Sequence, residues 1–335
     1  MSKRLFGELP SGENVFIYQL KDGNSTVEIM EYGAAIVSLC PFGETDVVGG
    51  FDSLDAYLND TSNQGAIVGR VANRIENAEF GIDGTVYHLP KNDNGNCLHG
   101  GVGFQHRLWK VEVQTENSIT LSYFSPDGED GFPSNLEVRV KYTLKNNALQ
   151  IEYRAVPDGA TPIVLTNHAF FNLDGFGKDI KEHRVQIFAN RYTETNTTLI
   201  PTGNRPVVEG TPFDLRMMRR IGEQFTQQFD GYDVNLILSP KQYKSFDSNK
   251  LGLAASVENK KMIMHVYTDQ PGLQFYTGNF LGVGPNYKGN IPQIKHGAFC
   301  LEAQTEPNCI KHGESIYCAD EEYTQLTVYV FERKQ

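Results

Sequence analysis

Two ionisable residues of this chain lie in runs that would strip them of water. His168 falls within Leu165-Thr166-Asn167-His168-Ala169-Phe170-Phe171-Asn172-Leu173, and Glu302 within Gly297-Ala298-Phe299-Cys300-Leu301-Glu302-Ala303-Gln304. An imidazole titrates near ~6.5 and so trades a proton readily at neutral pH. A carboxyl moved out of water rises from ~4.3 and becomes a better general base near neutrality. Taken singly, His168 reads first as a core histidine with a satisfied ring. Glu302 reads as a strand-end carboxylate in an ion pair, with Arg74 as a candidate partner.

Further polar residues occur in comparable settings. Gly69-Arg70-Val71-Ala72-Asn73-Arg74-Ile75 carries two arginines four apart with Asn73 beside Arg74; the planar guanidinium of Arg74 suits a ligand hydroxyl or carboxylate. In Cys97-Leu98-His99-Gly100-Gly101 the glycines permit a sharp turn that leaves His99 uncrowded. Asp233 opens an apolar run, Val234 to Leu238, from which it can point into a cleft and accept hydrogen bonds. Gln274 stands among apolar neighbours in Pro271–Asn279 and must be tied to backbone or turned to a ligand. His106 follows His99, but there is no HxH or HxxxH pair and no Gly-Lys-Ser/Thr phosphate loop. We therefore expect no metal and no nucleotide cofactor.

The elements that must position these residues read as strands. Val15–Leu20, Thr26–Met30, Thr85–Leu89, Leu136–Leu144 and Leu149–Tyr153 alternate or are β-rich. Asp22-Gly23, Asp83-Gly84, Asn94-Gly95, Asp127-Gly128, Asp158-Gly159 and Asp230-Gly231 punctuate them, dipeptides that supply the positive φ of tight hairpins. Two short helices are expected, over Ser53–Asn59 with Ser53 or Asp52 as cap, and over Met217–Gln228. Many closely spaced strands imply an all-β, antiparallel sandwich or barrel. No composition break divides the 335 residues, so one domain over 1–335 is expected. The net charge of −11 disfavours nucleic acid and anionic membrane as partners. No apolar window approaches the ~20 residues of a membrane span, and the N-terminus has no signal-like stretch. Five scattered cysteines without CxxC spacing fit reduced thiols in a cytoplasmic protein.

In order and spacing, these stretches resemble the aldose 1-epimerases, or galactose mutarotases. The resemblance runs through Tyr32-Gly33-Ala34, Asn73-Arg74-Ile75, Leu98-His99-Gly100-Gly101, Asp127–Pro133, Thr166-Asn167-His168, Phe171-Asn172-Leu173, Gln274–Asn279 and Leu301-Glu302. It implies a large antiparallel β-sandwich with an open sugar cleft, and cofactor-free interconversion of the α and β anomers of a free hexose by a monomer or homodimer. It also implies Glu302 as base and His168 as acid, with His99, Arg74 and Asp233 holding sugar hydroxyls and Asn73 and Gln274 assisting. The negative charge of Glu302 is expected to raise the pKa of His168. The chain departs from the family after Glu302, where it reads Ala303-Gln304-Thr305-Glu306-Pro307-Asn308, and after His168, where Phe170 or Phe171 replaces a tyrosine. Rival classes are a glycoside hydrolase using Glu302 and Asp233, a non-catalytic sugar-binding sandwich, a metal enzyme with His99 and His168 as ligands, and a relative acting on another sugar.

Overall fold

A computed structural model describes residues 2–334. Alternation of apolar and polar residues produces its main elements. In Leu136–Lys145 (LEVRVKYTLK) every second side chain is buried, while Glu137, Lys141 and Lys145 face solvent. This strand pairs antiparallel with Ala148–Pro157 from Leu136↔Pro157 to Lys145↔Ala148. The two-residue turn is Asn146-Asn147, both at positive φ, which the right-handed twist of a hairpin favours.

That hairpin sits in a ten-stranded antiparallel sheet. Beside it lie Lys110–Gln114 and Ser118–Ser125 on one side, and Tyr323–Arg333, Met262–Thr268 and Asn249–Glu258 on the other. A four-stranded sheet from Ser2–Glu8, Asn14–Asp22, Ser25–Met30 and Ile36–Cys40 packs near it, where the Tyr142 hydroxyl donates to the Ala34 carbonyl at 2.7 Å.

A second four-stranded sheet joins Ala189–Tyr192, Asp233–Leu238, Gly272–Tyr276 and Cys300–Gln304. Its apolar side, including Val234, Leu236, Leu273, Phe275, Leu301 and Ala303, belongs to the same core as Tyr142, Tyr153 and Tyr329 of the large sheet. Tyr329 donates to the Leu301 carbonyl at 3.3 Å, and Gln325 to the Ala303 carbonyl at 3.0 Å. The sheets thus form a sandwich whose small layer leaves its other side for a cleft.

The Asp83-Gly84 and Asn94-Gly95 pairs adopt positive φ at both positions and close the hairpins expected of them. Asp158-Gly159 does not, since neither residue takes a positive φ. Ser53 caps the helix Leu54–Leu58, accepting the Ala56 N–H. The helix expected over Met217–Gln228 is absent. Arg219–Arg220 instead pairs as a short strand with Arg184–Val185, followed by a 3₁₀ turn at Ile221–Gln224. Met217 is exposed while Phe225 and Phe229 pack on Tyr232.

Candidate active site

The small sheet sets out a polar face by strict period two. Its register places Asp233 opposite Tyr276, Gln274 opposite Glu302, and Tyr276 opposite Cys300. Asp233, Gln274, Tyr276, Cys300 and Glu302 therefore share the side turned away from the core. Glu302 stands mid-strand, not at a strand end. A cleft of about 190 Å³ lies over this face. Asn73, Arg74, His99, His168, Asp233, Gln274 and Glu302 all line it, so every residue expected at the site converges there.

His168 reaches the cleft from the segment after the short strand Thr166–Asn167, which pairs with Ile67–Val68. Its N–H donates to the Ala66 carbonyl and its own carbonyl accepts from Gly65, both at 2.9 Å. Phe170 packs on the ring at 5.1 Å and His99 meets it edge-on at 5.2 Å. His168 Nε2 lies 3.8 Å from Glu302 Oε2, and Nδ1 lies 3.7 Å from Cys300 Sγ. Both His168 and Glu302 are buried, at 7% and 2% exposure.

Burial drives each toward its neutral form. Desolvation, with the Asp233 charge second, raises Glu302 to about 8, and the Arg74 guanidinium only partly opposes this. Desolvation lowers His168 to about 4, opposed by its own main-chain carbonyl. The expectation that Glu302 raises His168 is thus corrected: loss of water outweighs the neighbouring carboxylate. At neutral pH the pair shares one proton, held on Glu302. Glu302 Oε2 and Gln274 Oε1 find no hydrogen-bond partner among the described residues. Buried polar atoms are rarely left so, and both belong to residues lining the cleft.

The remaining residues hold one another. Gln274 Nε2 donates to Asp233 Oδ1 at 2.7 Å, and burial raises the Asp233 pKa. Arg74 does not pair with Glu302; its Nε donates to Asp93 Oδ2 at 2.7 Å. His99 and Asn73 exchange bonds, His99 N–H to the Asn73 carbonyl at 3.0 Å and Asn73 N–H to His99 Nδ1 at 3.2 Å. The second bond makes Nδ1 an acceptor, so the neutral ring carries its proton on Nε2. Burial, then the nearby His168 and Arg74, hold the His99 pKa well below its ordinary value. Gly100 makes this turn possible: at φ +76 an added Cβ would lie 2.3 Å from the Gly69 carbonyl oxygen.

Arg70, four residues before Arg74, is not in the cleft. It is buried, donating to Ser125, Thr161 and the Pro133 and Pro126 carbonyls. His106 contacts the Tyr32 hydroxyl instead of the site. Of the two phenylalanines after His168, Phe170 lines the cleft while Phe171 packs in the core against Tyr329. Tyr276, Cys300 and Asp93 were not singled out from sequence. Period two from Gln274 and Glu302 would have found the first two, whereas Asp93 is hidden in an Asn-Gly turn. His168, Cys300 and Glu302 bring potential ligand atoms within 4.8 Å of one another. These donor types suit zinc, but an ion there would occupy the two groups best placed to move protons.

The family model described as aldose 1-epimerase matches residues 17–330. The galactose mutarotase of Rattus norvegicus is 41% identical over 99% of this chain and 98% of its own. That of Homo sapiens is 40% identical over the same shares. The aldose 1-epimerase of Escherichia coli is 34% identical over 96% of each chain. Among solved structures, an aldose epimerase homologue from C. elegans superposes with a TM-score of 0.86 at 25% identity, covering 95% of this chain and 99% of its own. With its sandwich fold and polar cleft in place, the chain belongs to the aldose 1-epimerase family.

Proposed function

We propose that this protein is an aldose 1-epimerase, interconverting the α and β anomers of a free hexose such as galactose or glucose. The observation that carries the reading is the placement of two proton carriers 3.8 Å apart on one cleft, His168 Nε2 and Glu302 Oε2. The two oxygens that exchange protons in mutarotation, O1 and the ring oxygen O5, are both bonded to C1. Two facing groups at this spacing can serve them together. Neighbouring Gln274, Asp233, Arg74, His99 and Asn73 offer donors and acceptors for the other hydroxyls.

In ring opening, Glu302 takes the O1 proton while His168 gives one to O5, and the C1–O5 bond breaks. Rotation about C1–C2 turns the other carbonyl face to O5. In closure, His168 takes the O5 proton as the C1–O5 bond re-forms, and Glu302 returns a proton to O1. The pair holds one proton before and after, so the cycle leaves the charge of the site unchanged. The neutral pair that burial favours is the arrangement that closure requires. Opening requires the other arrangement, with carboxylate and imidazolium, which a hydroxyl donating to the unpartnered Oε2 and the nearby Arg74 both favour. Positioned acid–base groups of this kind contribute roughly 10²–10⁴-fold each.

Polarimetry of freshly dissolved α-D-galactose and α-D-glucose tests the reading. The expected result is faster approach to the anomeric equilibrium with protein, undiminished by chelator. Sugar binding with no change in rate, or release of sugar from an aryl glycoside instead, would overturn it.

A further inference from the structure

The acid–base cycle places a demand on the far side of the His168 ring. Once Nε2 has given its proton to O5, the neutral imidazole must keep its remaining hydrogen on Nδ1, so that Nε2 can take the proton back. A ring with the opposite tautomer would present N–H to the sugar and could not act as base in closure. Something at Nδ1 must therefore accept a hydrogen bond.

The group at that nitrogen is the thiol of Cys300, with Sγ 3.7 Å from Nδ1. Strand parity puts it there: Cys300 is two residues before Glu302, so the same strand aims the thiol at one ring nitrogen and the carboxyl at the other. Both Cys300 and His168 are buried, and the strand pairs with Gly272–Tyr276 on one side and meets the His168 segment on the other, where Thr166 donates to the Ala303 carbonyl and Phe171 bridges to Phe299. The His168 carbonyl also faces the ring and is shared with the Gly65 N–H, which it accepts at 2.9 Å. Many histidines that shuttle protons are backed by a carboxylate, which raises ring basicity. A thiol is a weak acceptor and, with its proton retained, adds no negative charge.

We propose that Cys300 is a positioning residue for the reaction, its sulfur accepting the Nδ1 hydrogen of His168 and thereby keeping Nε2 free to exchange protons with the ring oxygen. The uncharged partner also leaves the imidazolium strongly acidic, which suits protonation of an ether-like oxygen of low basicity. Burial holds the thiol well above its ordinary pKa, so it stays protonated throughout the working range. The other titratable groups facing His168 are Glu302 at Nε2 and His99 at the ring edge, with Arg74 and Asp233 beyond them.

This inference rests on the proposed acid–base reading, and the test separates the two. ¹⁵N NMR of the histidine rings in the full-length protein reports the His168 tautomer without reference to activity. Wild-type protein should show the Nδ1–H form. Cys300→Ala should shift it toward a mixture and lower kcat for mutarotation about tenfold, less than the ~10²–10⁴-fold of removing an acid–base group outright. KM should stay within about twofold. Cys300→Ser, which restores an acceptor, should recover the Nδ1–H form and most of kcat. Cys300→Asp, which adds a charge, should move the acid limb of the pH profile upward by at least about one unit. An unchanged tautomer with kcat within about twofold in folded Cys300→Ala would overturn the role of Cys300. A Cys300-dependent tautomer in a protein without mutarotase activity would instead overturn the proposed reaction.

Discussion

At the scale of single residues, desolvation decides the protonation of the site. Glu302 is raised to about 8 and His168 lowered to about 4, burial being the first cause in each. Below about pH 4 the pair gains a second proton and has no base. Above about pH 8 it has lost its last proton and has no acid. We therefore expect kcat/KM to form a plateau between these limits and to fall on both sides, the limits belonging to the pair and not to either residue alone. A rate rising steadily from pH 5 to pH 9 would contradict this. The types and apolar surroundings of His168, Glu302, Asp233 and Gln274 were legible in the chain. Their proton balance was not, because the cost of lost water depends on neighbours brought from distant segments. Arg74 shows the same limit: its pairing with Asp93, not Glu302, depends on a turn folding back onto the Arg74–Ile75 strand.

At the scale of elements, period two carries both fold and site. The alternation that buries Leu136, Val138, Val140, Tyr142 and Leu144 was legible because it runs over ten residues. The same rule, applied to Cys300–Gln304, sends Glu302 to the cleft, Cys300 to the same side beneath His168, and Leu301 and Ala303 to the core. The pairs Arg74–Ile75 with Cys97–Leu98, and Thr166–Asn167 with Ile67–Val68, are two residues long and leave no period to read. Yet they seat Arg74, His99 and His168. The Met217–Gln228 stretch was misread because its apolar residues are spaced like a helix, whereas Arg219–Arg220 is drawn into pairing with the distant Arg184–Val185. The His99 turn makes a sharp prediction. Gly100→Ala places a Cβ against the Gly69 carbonyl at a positive φ, so it should destabilise the protein by more than about 1 kcal/mol. It should also weaken sugar binding as His99 shifts. Urea unfolding and sugar titration check both; a midpoint equal to wild type would refute it.

At the scale of the whole molecule, the small sheet gains its rigidity from the large one. The apolar backs of the site strands are part of a core continuous with the ten-stranded sheet. We propose that the chain unfolds as one unit, and expect a single cooperative thermal transition reported equally by tyrosine fluorescence and far-UV circular dichroism. Two separated transitions would show independent parts. Acid should weaken the fold. His99 and His183 are buried with lowered pKa values, so each contributes stability above its unfolded pKa of ~6.5 that is lost as pH falls toward its folded value; the lowered His168 acts likewise but is offset by the raised Glu302, which works in the opposite sense over this range. Tm should therefore decline between pH 7 and pH 5. The all-β class was legible from the density of strands and turns, but the pairing of Ala148–Pro157 with Tyr323–Arg333 joins segments too far apart for any local signal. Sandwich and cleft together serve one claim, that a single proton passes between Glu302 and His168 across one pyranose ring. The most direct test is the mutarotation rate of freshly dissolved α-D-galactose with Glu302→Gln and His168→Asn, each shown to be folded. We predict that each loses at least about 10²-fold in kcat while still binding sugar; near wild-type turnover in either would contradict the account.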